Sequence, residues 1–162
     1  MGNAKDFADV IRKHQGLIYK VTSIYTNNEQ DREDLFQEIV YQLWKYFDTF
    51  RNEAKISTWM YRVAMNTAIT HLKKSKRSPS SVPLPEYLLS ASDTKDEVFE
   101  ERLKSLYLHI KQLNTLEKGL MLLLLEGKSY KEIASITGLN PSNVGTRISR
   151  IKQKLKQNMT NS

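Results

Sequence analysis

The stretch SYKEIASITGLNPSNVGTRISRIKQKLK, residues 129–156, decides the reading of this chain. Ser129 followed three residues later by Glu132 forms a capping box that opens a short helix. Ala134, Gly138 and Val144 then fall at the spacing of a helix-turn-helix. The small residue lets two helices approach, the glycine accepts a left-handed turn, and the valine fills the angle between them. Asn140 caps a second helix whose first residue is Pro141. That helix carries Arg147, Arg150, Lys152, Lys154 and Lys156 and no acidic residue. A basic helix behind a tight turn suits the major groove of a duplex: Ser142, Asn143, Thr146 and Arg147 in its first two turns are placed to reach base edges. Arg150 and the lysines further along complete the surface, the lysines favouring phosphates.

Upstream of this segment the same helical logic continues. Asn114 with Glu117 is a second capping box, and Gly127 is placed to stop the helix it opens. Helices are expected roughly over 93–113, 114–126, 129–137 and 141–157. Nearer the N-terminus, Phe7, Val10, Ile11, His14, Leu17, Ile18 and Val21 mark one helix face, and Asn27 with Asn28 ends the run. A second helix is expected from Asp31 as its N-cap, with the stripe Leu35, Phe36, Ile39, Val40, Leu43, Trp44 and Phe47. A third opens after Ser57 or Thr58 and packs Met60, Val63, Ala64, Ala68 and Leu72. The chain has only six Gly and four Pro, and no alternating β-branched runs. The expected class is all-α.

Three of the four prolines fall in SPSSVPLPEYLLSASD, residues 78–93, which cannot continue a helix and reads as a linker. Residues 1–78 carry 13 basic and 9 acidic side chains, 79–98 carry 1 and 4, and 99–162 carry 11 and 5, so the sums are +4, −3 and +6. The expected organisation is two small basic helical domains, 1–77 and 96–162, joined by a flexible linker over 78–95. Domains of that size point away from an enzyme with a deep cavity. The formal charge of +7 over 162 residues favours an anionic partner. With no Cys there is no disulfide framework or thiolate metal site, and His14, His71 and His109 are too scattered for a metal motif. The longest wholly apolar run, Leu120 to Leu125, is far short of the roughly 20 residues a membrane span needs, so no membrane insertion is expected. Neither a signal peptide nor a complete myristoylation pattern is visible, and a cytoplasmic location fits.

Two further constellations lie in the first domain. Asp34, Gln37, Glu38 and Tyr41 fall opposite the apolar stripe of the second helix. Asp34 and Glu38 are like charges at i and i+4, which a basic partner would relieve, although acidic exposed faces are commonly just solvated. In STWMYRVAMNTAITHLKKSKR, residues 57–77, Arg62, Asn66 and Lys73 face away from the apolar positions. Five Lys or Arg and no acid occur from Arg62 to Arg77, and Trp59 and Tyr61 stand at the start beside a loop that includes Lys55. Positive charge with rings and amides is the chemistry that unstacked single-stranded nucleic acid requires. Trp59 serves equally well as core.

In this order, DREDLFQEIVYQLWKYFDTF, STWMYRVAMNTAITHLKKSKR and the segment from Leu113 to Lys156 resemble the extracytoplasmic-function sigma factors of bacterial RNA polymerase. The likeness covers nearly the whole chain. It implies that Asp34, Gln37, Glu38 and Tyr41 contact the clamp of core polymerase. It also implies that Asn66, with Lys55, Trp59, Arg62 and Lys73, handles melted minus-ten DNA, and that the helix from Pro141 reads the minus-thirty-five duplex. Core RNA polymerase, promoter DNA and an inhibitory anti-sigma factor are the partners it implies. The family usually has Leu-Pro where this chain has Leu113 and Asn114, but Asn still caps a helix. Gly145 stands where the family commonly has a basic residue, which removes a contact and lowers helix stability by roughly 1 kcal/mol relative to Ala. No nucleophile, base and orienting residue can be assembled, so the chain is not expected to be an enzyme, and no cofactor is implied. The alternative is a helix-turn-helix transcriptional regulator that is not a polymerase subunit. Against it, the first 90 residues lack the alternating strand and helix pattern of a receiver domain.

Overall fold

The computed structural model describes residues 4–50, 55–74 and 97–160. Among them there are seven α-helices and no strand. The chain divides into two compact units, 1–82 and 83–162. The linker expected over 78–95 lies outside the described residues.

In the first unit, α1 (Ala4–Tyr25), α2 (Glu29–Tyr46) and α3 (Ile56–Lys74) each pack against the other two, and the 3-10 turn Phe47–Thr49 extends α2. Helix α1 kinks at His14, whose φ of −115° and ψ of 15° leave the helical region. Before the kink only Phe7 is buried. Beyond it Leu17, Ile18 and every residue from Val21 to Thr26 are buried. The two threonines in that run are satisfied locally: Thr22 Oγ1 donates to the Tyr19 carbonyl at 2.8 Å and Thr26 Oγ1 to the Thr22 carbonyl at 2.7 Å. Burial pushes the Tyr25 phenol well above its ordinary pKa.

The sequence placed the start of α2 three residues late. Asn28, in extended conformation, is the N-cap, and its Oδ1 accepts from the Asp31 backbone N–H at 2.8 Å. Asp31 is the third helical residue, and its Oδ2 accepts from Asn28 Nδ2. Leu35, Ile39 and Leu43 form the buried line, while Trp44, expected on that stripe, is 47% exposed at its edge. Helix α3 begins at Ile56, ahead of the expected Ser57 or Thr58. Thr58 lies inside the helix and is buried with Met60, Tyr61, Ala64, Met65 and Ala68, whereas Val63 and Leu72 are half-buried.

In the second unit, α4 (Glu97–Lys111), α5 (Thr115–Leu125) and α6 (Tyr130–Thr137) all contact α7 (Pro141–Thr160). The expected start of α4 at residue 93 falls outside the described residues. Its end comes at Lys111, before the expected Leu113, in a turn where the Leu113 N–H donates to the Ile110 carbonyl. Both expected capping boxes form, Asn114 with Glu117 and Ser129 with Glu132. Gly127, at φ 80°, follows α5. Helix α7 runs three residues past its expected end at Gln157. Ile110, Leu120, Leu122, Leu123, Ile133, Val144 and Ile148 are fully buried and form the centre of this core.

Candidate nucleic-acid and polymerase interfaces

The turn between α6 and α7 is built as its residues dictate. Gly138 ends α6 at φ 85°, a left-handed conformation that strains other residues, and its N–H donates to the Ala134 carbonyl at 2.8 Å. Asn140 Oδ1 accepts from the Asn143 N–H and from Ser142 Oγ, both at 2.8 Å. Val144, Ile148, Ile151 and Leu155, spaced four, three and four residues apart, bury one face of α7. Ser142, Asn143, Thr146, Arg147, Arg150 and Lys154 are all exposed, so the six side chains expected at duplex DNA lie off the core.

Two of them are less available than sequence spacing indicates. Ser142 is engaged with its own cap, and Lys154 Nζ stands 3.3 Å from Glu117 Oε1. The same Glu117 oxygen accepts from the Asn114 N–H in the α5 capping box. Helix α7 itself carries no acid, but its neighbour supplies one. That partner lies 37 residues away in sequence, which no local pattern reveals.

In the first unit, Asp34, Gln37, Glu38 and Tyr41 are exposed on α2 as expected, but they fall along two different depressions. Asp34 and Glu38 line a groove of about 670 Å³ whose opposite wall, on α3, includes Val63, Asn66, Thr67, Thr70 and His71. Gln37 and Tyr41 line a shallower, apolar hollow of about 390 Å³ with Phe7, Phe36, Val40 and Trp44. Glu38 Oε1 accepts from Gln42 Nε2 at 3.1 Å. Among the described residues no Lys or Arg pairs with Asp34 or Glu38. The like-charge repulsion between these two carboxylates is therefore left for solvent or a partner to screen.

On α3, Arg62, Asn66 and Lys73 recur at i, i+4 and i+11, one stripe of a helix. Asn66 and Lys73 are exposed, Arg62 is half-buried, and Lys55 is exposed just ahead of the first turn. Residues 51–54 and 75–77 lie outside the described residues.

The two rings named from sequence separate. Tyr61 is core, 2% exposed. Trp59 is half-buried within an aromatic cluster, its ring centroid 5.3 Å from Phe50 and 6.4 Å from Phe47. Phe47 in turn meets Phe7 edge-on at 5.3 Å, and Phe7 meets Trp44 at 5.1 Å. A chain of five rings thus runs from the hollow beside Gln37 to the loop before α3. Sequence offered no cue to it beyond the abundance of aromatics. No group of three or more metal-ligating side chains occurs among the described residues. No helix among them is long and apolar enough to cross a membrane.

The chain matches the family models "Sigma-70 region 2" over residues 10–78 and "Sigma-70, region 4" over residues 103–155. It is similar to RNA polymerase sigma factor SigV of Bacillus subtilis, 28% identical over 153 residues, covering 93% of this chain and 89% of that one. It is also similar to the ECF RNA polymerase sigma-E factor of Escherichia coli, 27% identical over 173 residues, covering 95% and 86%. Among solved structures it shares its fold with the sigma factor RpoE of Bartonella quintana in complex with the anti-sigma factor NepR. The TM-score is 0.74 at 17% identity, with 97% and 98% of the two chains covered. CnrH in complex with the cytosolic domain of CnrY gives a TM-score of 0.71 at 20% identity, with 99% and 92% covered. The first unit is helical and matches region 2, so the reading as a free-standing helix-turn-helix regulator is not favoured. Both halves of the chain, in order and on the expected fold, point one way: the chain belongs to the sigma-70 family, as an RNA polymerase sigma factor of the extracytoplasmic-function type.

Proposed function

We propose that this sigma factor divides its task between its units, with residues 1–77 holding core polymerase and melted minus-ten DNA, 96–162 docking on the minus-thirty-five duplex, and 78–95 connecting them. The observation that carries the first assignment is the groove between α2 and α3. One wall bears two carboxylates without a cationic partner among the described residues, and the other bears the exposed amide of Asn66. Asp34 and Glu38 offer charge to a basic surface of the polymerase clamp, with Gln37 and Tyr41 on the adjoining apolar hollow. Asn66 offers a donor and an acceptor to an unpaired base edge, with Lys55, Arg62 and Lys73 for the backbone. Trp59 supports this surface from below through Phe50 and Phe47. In the second unit Asn143, Thr146, Arg147 and Arg150 are offered to the major groove of the DNA duplex, while Lys154 is shared with Glu117.

The chain acts as a specificity subunit in the cytoplasm and is not itself an enzyme. An anti-sigma factor is proposed as its regulator, since the Bartonella quintana relative of this fold is held in such a complex. The test is reconstitution with bacterial core polymerase and sequencing of transcript starts from genomic DNA. A discrete new set of starts sharing upstream elements is expected. A start profile identical to that of core polymerase alone would overturn the proposal.

A further inference from the structure

Gly145 is the only glycine in α7, and a glycine inside a helix lowers stability relative to alanine. The structure shows what it permits. A Cβ at this position would stand 3.3 Å from Tyr130 Cε2 and 3.6 Å from Tyr130 Cδ2, so the ring would have to give by a few tenths of an ångström. Tyr130 opens α6 and remains 42% exposed. Its ring edge therefore lies against bare backbone of α7. Cε2 is bonded to the carbon that carries the phenol hydroxyl, so the hydroxyl stands at the tip of the ring, one carbon beyond the atom nearest Gly145. Among the described residues that hydroxyl has no hydrogen-bond partner.

Helical geometry fixes which side of the recognition helix is involved. With Val144, Ile148, Ile151 and Leu155 buried, Thr146 and Arg150 point away from the core, and Arg147 and Gly145 fall on opposite shoulders. One shoulder carries a guanidinium. The other carries Ser149 and Lys152 further along the helix but no side chain at the level of position 145, where the Tyr130 ring lies.

We propose that Tyr130 is a DNA-backbone contact seated by Gly145: the glycine lets the ring lie flush with α7, and the hydroxyl donates to a phosphate oxygen on the flank opposite Arg147. This rests on the reading of α7 as the groove helix, in which the preceding helix crosses the backbone. The ring replaces the basic side chain expected at position 145. A neutral donor neutralises no phosphate and releases no counterion, so it strengthens binding to every sequence without steepening the salt dependence.

The test uses the full chain and two short fluorescent duplexes of unrelated sequence, titrated at several salt concentrations, with Arg147→Ala as control. Tyr130→Phe is expected to lower affinity about threefold to tenfold on both duplexes at an unchanged salt slope. Gly145→Ala is expected to raise the thermal midpoint of the second unit yet lower affinity by a smaller factor than Tyr130→Phe, and to have no further effect on affinity in a Tyr130→Ala background. Full affinity in Tyr130→Phe, with a loss in Arg147→Ala, would overturn the contact and leave the groove helix standing. Full affinity in both would overturn the groove helix and the contact together. A Gly145→Ala variant that gains stability and keeps its affinity would overturn the seating role of the glycine.

Discussion

Trp59 gives the sharpest test of how the minus-ten surface is built, because a base-stacking ring and a supporting ring respond oppositely to truncation. Full removal of a buried Trp or Phe side chain costs about 3 to 5 kcal/mol. Trp59 is half-buried, and each of its two ring contacts contributes about 0.5 to 1.5 kcal/mol beyond area burial. Trp59→Ala should therefore destabilise the first unit by about 2 kcal/mol. With an m-value of about 1 kcal/mol/M in urea for a unit of this size, the unfolding midpoint falls by roughly 2 M. The chain has two Trp, Trp44 and Trp59, both in the first unit, so fluorescence reports on that unit alone and Trp44 still reports in the variant. Trp59→Phe keeps a ring against Phe50 and should lose no more than about half as much. An unchanged urea midpoint in Trp59→Ala, together with weakened binding of a single-stranded minus-ten oligonucleotide, would refute the supporting role and restore the ring to the DNA surface.

Other outcomes follow from the same geometry. Glu38→Lys should weaken co-purification with core polymerase while shifting stability by no more than about 0.5 kcal/mol, since Glu38 is exposed; undiminished co-purification would remove Glu38 from the clamp interface. Asn66→Ala should impair opening of a fully paired promoter more than binding to one pre-melted at the minus-ten element, and equal loss on both templates would make Asn66 structural. Arg147→Ala should relax preference at one base position by about 1 to 3 kcal/mol. Lys154→Ala should reduce the salt slope by less than the roughly 0.9 expected of a free phosphate-binding lysine, because Glu117 competes for its ammonium; a larger drop than in Lys152→Ala would show that the ion pair opens on DNA.

What the sequence determined by itself was set within a few residues along the chain. Gly138 and Asn140 shape the turn, the two capping boxes start α5 and α6, and the four-three-four spacing of Val144, Ile148, Ile151 and Leu155 sets the buried face of α7. These features are legible because capping, left-handed turns and helical periodicity act over one or two turns, and the residues that satisfy them are neighbours. The late placement of the α2 start has the same local origin: Asn28 and Asp31 are both competent caps, and only the extended backbone of Asn28 selects between them.

Tertiary structure decided which faces meet. Lys154 of α7 found Glu117 on α5, Tyr130 found the bare backbone at Gly145, and Tyr61 turned into the core while Trp59 settled on Phe50. The groove joining Asp34 and Glu38 to Asn66 exists only because α2 packs beside α3. An amphipathic stripe states that a face is buried but not against what. The side chains on its shoulders, where charge pairs, ring contacts and grooves form, are assigned by the neighbouring helix and by the angle at which it packs.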